Sequence, residues 1–251
     1  MSSNIADILK QLDTISAENG IDVYLPSQKR SVKFRPLNLK QQKSLLSSSI
    51  DESLTKLSFN STFYNIIKEN ILDTVNPDLL LTIDRSAIAL TLRSNSLDSK
   101  ITVNDKQIDL NKVITNIPLV PLDTYPLNAI ADDGTVVVKL SAPTLGSDNE
   151  LNKFALSKQG QNTDFKTVIG ELFVYELTKF IQSVTIKGTE SDTVIDFYSL
   201  KTADKIAIAE KLTSTATNKI LDFIKSYRAL EALYTKVDDE SIDIDGSFFT
   251  V

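Results

Sequence analysis

The sequence predicts an α+β fold that is mainly helical and carries small antiparallel β-hairpins. Apolar residues recur at the three- and four-residue spacing of amphipathic helices in the long segments near both ends of the chain. Short runs in which apolar and polar residues alternate flank turn-forming residues at three places, as the strands of hairpins do. With 41% hydrophobic residues in 251, the chain can bury a sizeable core.

The first predicted elements are a helix and a hairpin. Helical spacing over residues 4–18 places five apolar residues on one face: Ile5, Ile8, Leu9, Leu12 and Ile15. Asn19-Gly20 is a predicted stop, because Gly tolerates the left-handed conformation of a helix C-terminus. The run IDVYLPSQKRSVKF then predicts two strands around a turn near Pro26, and Pro36 ends the second strand.

Three helices are predicted next. They cover 39–49, 58–72 and a segment that Thr82 or Asp84 caps and that continues through Leu92. Asn76-Pro77 separates the last two, and Arg93 near the end suits the negative end of the helix dipole.

The middle of the chain changes character. KITVNDKQIDL predicts a hairpin around Asn104-Asp105. Pro118, Pro121 and Pro126 predict an extended stretch without regular structure. Asp133-Gly134 predicts a turn into the strand TVVVKLSAPT.

The last third is predicted to be helical again. Residues 168–184 carry apolar residues on nearly every side, which predicts the most buried helix of the protein. The runs VTIKG and TVIDF predict a strand pair about Gly188, and 202–212 and 216–234 predict two helices. In the closing SIDIDGSFFTV, Ile242 and Ile244 alternate with acids, which predicts a strand with both isoleucines buried.

These elements fall into three regions. We predict a helix–hairpin–helix region over 1–98, a β-rich middle segment over 99–163 that is either an insertion or a diverged section, and a helical region ending in a strand over 164–251.

Composition excludes several kinds of chemistry. The chain has no Cys and no His, so it lacks disulfides, thiolate nucleophiles and the commonest general base and metal ligand. Phosphate-binding glycine motifs are absent as well. We therefore expect no catalytic, cofactor-binding or metal-binding residues. A glycosidase needs only two carboxylates, so a cell-wall hydrolase stays open, with candidates Glu69, Glu171, Glu176 and Glu210.

The charges and apolar runs of the chain indicate which kinds of partner it can bind. The net charge of −6 argues against binding to nucleic acid, and no run reaches the ~18 apolar residues of a membrane span. We expect the protein to be made in a cytoplasm. A basic cluster nevertheless occurs within the first hairpin: Lys29, Arg30, Lys33 and Arg35. It is either a solvated strand edge that resists aggregation or a surface that docks an acidic partner protein.

Several segments resemble one family. VYLPSQKRSVKFRPLNLKQQKSLLSSSID, FYNIIKENIL and DRSAIALTLRSNS in the first hundred residues, with ELFVYELTKFIQSV, IAEKL and IDIDGSFF in the last eighty, are similar to the baseplate hub subunit and hub assembly family of T-even-like contractile-tailed phages. The resemblance implies a non-enzymatic structural protein of the tail baseplate that docks on other hub or tail proteins. It also allows a transient assembly chaperone that is absent from the mature virion.

Overall fold

The computed structural model describes residues 4–48, 55–159, 165–237 and 239–249. It confirms the mainly helical α+β fold with small antiparallel sheets. Two compact units are present, the first comprising Met1–Val120 with Tyr234–Val251 and the second Pro121–Leu233.

The described residues form nine α-helices and ten strands. The helices are α1 (Ile5–Glu18), α2 (Leu39–Ser47), α3 (Thr55–Asn70), α4 (Thr82–Ser96), α5 (Leu110–Asn116), α6 (Leu145–Gln159), α7 (Phe165–Thr178), α8 (Thr202–Ala209) and α9 (Ser214–Leu233). The strands are β1 (Ile21–Leu25), β2 (Arg30–Phe34), β3 (Lys100–Val103), β4 (Lys106–Asp109), β5 (Asn128–Asp132), β6 (Val136–Ser141), β7 (Ile181–Ile186), β8 (Thr193–Asp196), β9 (Lys236–Val237) and β10 (Glu240–Ser241).

Helix α1 forms and ends where predicted, but without the predicted left-handed glycine. The side chain of Asn4 caps its start by accepting from the Ala6 amide, and Asn19 closes it at a φ of −87°. The predicted stop at Asn19-Gly20 is confirmed, but Gly20 has no left-handed backbone, so the reason given for the stop is wrong. Its lack of a side chain serves packing instead, because a Cβ there would lie 3.0 Å from Cδ1 of Leu72.

The first hairpin is confirmed. β1 and β2 are antiparallel, with Ile21 opposite Phe34, and a 3-10 turn over Pro26–Gln28 leads into Lys29 at a left-handed φ of 50°. Alternate residues on both strands are buried: Val23, Leu25, Val32 and Phe34. β1 packs against α4, which places the hairpin over the core of the first unit.

Helix α4 is the central helix of the first unit. Ten of its fifteen residues are buried, and four of these ten are polar or charged: Thr82, Asp84, Thr91 and Arg93. The N-cap residue is Leu81, not the predicted Thr82 or Asp84. Asp84 lies in the first turn, and its carboxylate accepts a hydrogen bond from the Leu81 amide at 3.0 Å.

The long apolar segment 168–184 is not one helix. The predicted helix is confirmed up to Thr178, where α7 ends. Its extension to residue 184 is wrong, because Ile181 begins β7, and so is its rank as the most buried helix, which α4 holds among the described residues. The spacing of Leu177, Phe180, Ile181 and Val184 fits a helix, but β-branched residues also favour strands. Pairing with β6 decides the outcome, since the Ser141 amide donates to the Phe180 carbonyl at 2.9 Å.

The middle of the chain is more regular than predicted. Asn104 and Asp105 both have positive φ, as the predicted tight hairpin turn between β3 and β4 requires. The stretch with three prolines contains 3-10 turns at Ile117–Leu119 and Leu122–Thr124, so the prediction of no regular structure is wrong. Pro118 fits because it lies in the first turn of its element, where its missing N–H costs little.

A four-stranded antiparallel sheet forms in the second unit, in the order β5-β6-β7-β8. The predicted strand after Gly134 is β6, and the predicted pair about Gly188 is β7 with β8. β5 and α6 were not predicted. Ala131, Val138 and Val184 stand opposite one another on the buried face of the sheet, and α9 packs against β5 and β6.

The C-terminal segment returns to the first unit. Its strand is only Glu240–Ser241, so the predicted longer strand is wrong; Ile242 is buried and Ile244 half-buried. The Asp245 side chain accepts from the amides of Ser247 and Phe248, which turns the chain into a 3-10 turn at Ser247–Phe249. Buried Arg93 holds this turn, because its Nε donates to the Phe248 carbonyl at 2.7 Å.

Candidate functional site

The basic hairpin, defined as Lys29, Arg30, Lys33 and Arg35, lies at the tip and outer edge of β1 and β2. Lys29 and Arg30 are exposed at the turn. Lys33 forms a 3.2 Å ion pair with Asp22, and both side chains are more than half exposed. Arg35 is half-buried, and its Nη1 donates to the Glu69 carbonyl at 3.4 Å.

The four cations do not share one face. Successive residues of a strand leave it on opposite sides, so Arg30 and Lys33 diverge along β2. Asp22 offsets part of the charge of Lys33, while Lys29 and Arg30 lie exposed at the turn.

A buried carboxylate anchors this turn. Asp84 of α4 accepts from the Ser27 amide at 2.9 Å, from Ser27 Oγ at 2.5 Å and from the Leu81 amide at 3.0 Å. Burial raises the pKa of Asp84 to about 6, against the opposing effect of these hydrogen bonds. The sequence indicated Asp84 as a helix cap, but nothing local shows a contact with a residue 57 positions away.

This anchor predicts a specific dependence of stability on pH. Between the ordinary pKa of 3.8 and about 6, the folded state holds a proton that the unfolded state has released. Stability therefore falls as pH rises through this window, by roughly 3 kcal/mol in total. Asp84→Asn should remove that slope, and urea unfolding from about pH 4 to about pH 7 measures it. Parallel stability curves for the two proteins would contradict the role assigned to Asp84.

Three of the four carboxylates considered for hydrolysis are held by other contacts. Glu69 accepts from Gln41 Nε2 at 3.1 Å, and Glu171 pairs with Lys158 at 3.0 Å. Glu176 pairs with two cations, and Glu210 is exposed at the end of α8. Three of the four are thus partners in hydrogen bonds or ion pairs. Within the described ranges no group of three or more acidic side chains could hold a metal ion.

The two cations of Glu176 belong to an ionic cluster that the sequence did not reveal, buried at Lys179 and exposed at Arg228. Nζ of Lys179 lies 2.8 Å from Asp148 on α6 and 2.8 Å from Glu176 on α7. Arg228 on α9 contacts Glu176 at 2.8 Å. Burial lowers the pKa of Lys179, but the two carboxylates outweigh it and hold that pKa above its usual range. The cluster joins three helices of the second unit.

An uncovered hydrophobic surface lies on α1. The apolar face of α1, defined as Ile5, Ile8, Leu9, Leu12 and Ile15, has side chains that are 42% to 74% exposed. No residue of α1 is buried. Contiguous exposed apolar side chains mark sites of interaction with other proteins, so this face is the strongest candidate docking surface of the described residues.

Comparisons with known proteins give one result. A family model described as T4 bacteriophage base plate protein matches residues 19–237. Neither the curated proteins nor the solved structures provided a match. In the part of the chain that the structure describes, no helix is long and apolar enough to cross a bilayer. Since the family model covers most of the chain, from the first hairpin to β9, this protein belongs to the T4 bacteriophage base plate protein family.

Proposed function

We propose that this protein is a non-enzymatic subunit of the baseplate hub of a contractile-tailed phage, and that it acts by docking on neighbouring baseplate or tail proteins. The match of residues 19–237 to the base plate family carries the proposal, because it supports a structural protein of the tail baseplate. In this proposal the protein is made in the host cytoplasm and is then built into the tail.

The geometry supports docking through two surfaces. The apolar face of α1 offers exposed apolar area, and its burial against a neighbouring subunit, another copy of this chain included, supplies most of the free energy of association. The turn of the basic hairpin offers positive charge, which steers encounter with an acidic partner more than it adds affinity.

Quantitative mass spectrometry of purified virions beside infected-cell lysate tests the role. A hub subunit should appear in virions at a fixed ratio to other baseplate proteins. An assembly chaperone should be present in the lysate, bound to hub proteins, and depleted from virions. Loss of peptidoglycan turbidity on adding the purified protein, abolished by a Glu→Gln change, would instead support a hydrolase.

Neutralising the exposed part of the basic hairpin should slow association without unfolding the protein. The variant Lys29→Gln, Arg30→Gln and Lys33→Gln should lose less than about 1 kcal/mol of stability, because exposed charges contribute little. Binding to an acidic hub partner should slow and lose its salt dependence, because these charges would steer encounter. The measurement is a binding time course at two salt concentrations.

A variant of equal charge provides the control. Lys153, Lys211 and Lys225 are exposed in the second unit, and their change to Gln alters the net charge by the same amount. If both triple variants bind as fast as the wild type, the hairpin is only a solvated edge.

A further inference from the structure

We propose that the apolar face of α1 binds the α1 helices of further copies of this chain, forming a parallel bundle of three or more helices. This inference goes beyond the proposed hub role and does not depend on it, since it concerns the purified protein alone.

The spacing of the face is that of a coiled coil. Ile5, Ile8, Leu12 and Ile15 follow one another at intervals of three, four and three residues. These intervals place them at positions a, d, a and d of two consecutive heptads. Leu9 widens the apolar face of α1 at the neighbouring e position.

The described part of the chain does not bury the apolar face of α1. All five side chains are exposed, although α1 continues directly into the hairpin through Asn19 and Gly20. An isolated helix of fourteen residues is marginal in water, so a partner that covers its apolar face would also stabilise the helix itself.

The charges on α1 favour identical copies. The e and g positions that flank the stripe hold Leu9, Gln11 and Ser16, and only Glu18, at the last residue of the helix, is charged. Coiled coils between different chains select their partners through opposite charges at the e and g positions, and α1 has no such pattern of charges there. The remaining charges, Asp7, Lys10 and Asp13, fall at outward positions, so copies meet without like charges facing each other.

The residues at the a and d positions indicate how many helices associate. Both d positions are Ile, and the a positions are Ile and Leu. Ile at d is disfavoured in parallel dimers and shifts the preference to trimers or tetramers. Two heptads span only about 21 Å, so the association should be weak and dependent on concentration.

Sedimentation velocity of the full chain tests the proposal. Over about a hundredfold range of concentration, the wild type should shift reversibly from monomer to a trimer or larger species. Leu12→Asp should raise the midpoint concentration of association more than about tenfold, because it removes buried apolar area. Leu12→Gln should do the same while keeping a good helix former, which circular dichroism verifies.

Leu79→Asp is the matched control, because Leu79 is 67% exposed and lies outside α1. It should associate like the wild type. A wild type that stays monomeric, or whose largest species is a dimer, overturns the proposal. So does a Leu12 variant that associates normally, or a Leu79 variant that loses association equally.

Discussion

Replacing Phe249 by Ala is expected to lower the free energy of unfolding of the first unit by about 3–5 kcal/mol. Phe249 is 1% exposed, and its ring centroid lies 6.1 Å from that of Phe59 and 5.6 Å from that of Phe63 on α3. Removing the ring leaves a cavity that these neighbours fill only in part. It also weakens the attachment of the C-terminal segment to the core.

Urea unfolding followed by far-ultraviolet circular dichroism measures the loss, since the chain has no Trp to report fluorescence. Phe173→Ala is the matched control, because that ring is 55% exposed on α7; it should cost less than about 1 kcal/mol. Phe249→Leu serves if the Ala variant does not fold, and it should lose less stability. Equal unfolding midpoints for wild type and Phe249→Ala would show that the segment contributes nothing.

Replacing Lys179 by Met is expected to cost about 3–5 kcal/mol in the second unit, because it leaves Asp148 buried without its cation. The Lys179 and Asp148 side chains are 11% and 7% exposed, at a separation of 2.8 Å. The pKa of Lys179 lies above its ordinary value of 10.5, so its contribution is complete at neutral pH. It should be lost only as pH rises above that value through the folded-state pKa.

An exposed pair provides the comparison. Lys187 and Asp132 lie 3.1 Å apart with 40% and 47% exposed side chains, and Lys187→Met should cost less than about 1 kcal/mol. The double variant Lys179→Met with Asp148→Leu should recover part of the loss, because no uncompensated charge then stays buried. Similar losses for Lys179→Met and Lys187→Met would contradict the distinction drawn from burial.

Elements whose signal is local could be predicted from the sequence. The alternation of Val23, Leu25, Val32 and Phe34 predicted the first hairpin, and the burial of these residues bears it out. Asn104-Asp105 predicted a turn because Asn and Asp tolerate positive φ. The apolar face of α1 was likewise apparent from spacing alone.

Features that depend on distant partners could not be predicted. The change from helix to strand after Thr178 requires β6 as a neighbour, since the apolar spacing of the segment fits both structures. Likewise, Lys179 shows no sign in the sequence that Asp148 lies against it. The contact of Ser27 with Asp84 and that of Arg93 with Phe248 span 57 and 155 residues, so periodicity carries no information about them.

The return of the C-terminal segment has a consequence for the order of events on the ribosome. Residues 121–233 are contiguous, so the second unit can fold as soon as its last helix emerges. The first unit is synthesised earlier but lacks Phe248 and Phe249 until more than a hundred further residues have been added. At typical elongation speeds this delay is roughly 6–25 s. During that interval Phe59 and Phe63 have no C-terminal ring to cover them, so the nascent chain passes through a stage that chaperones of the host can recognise.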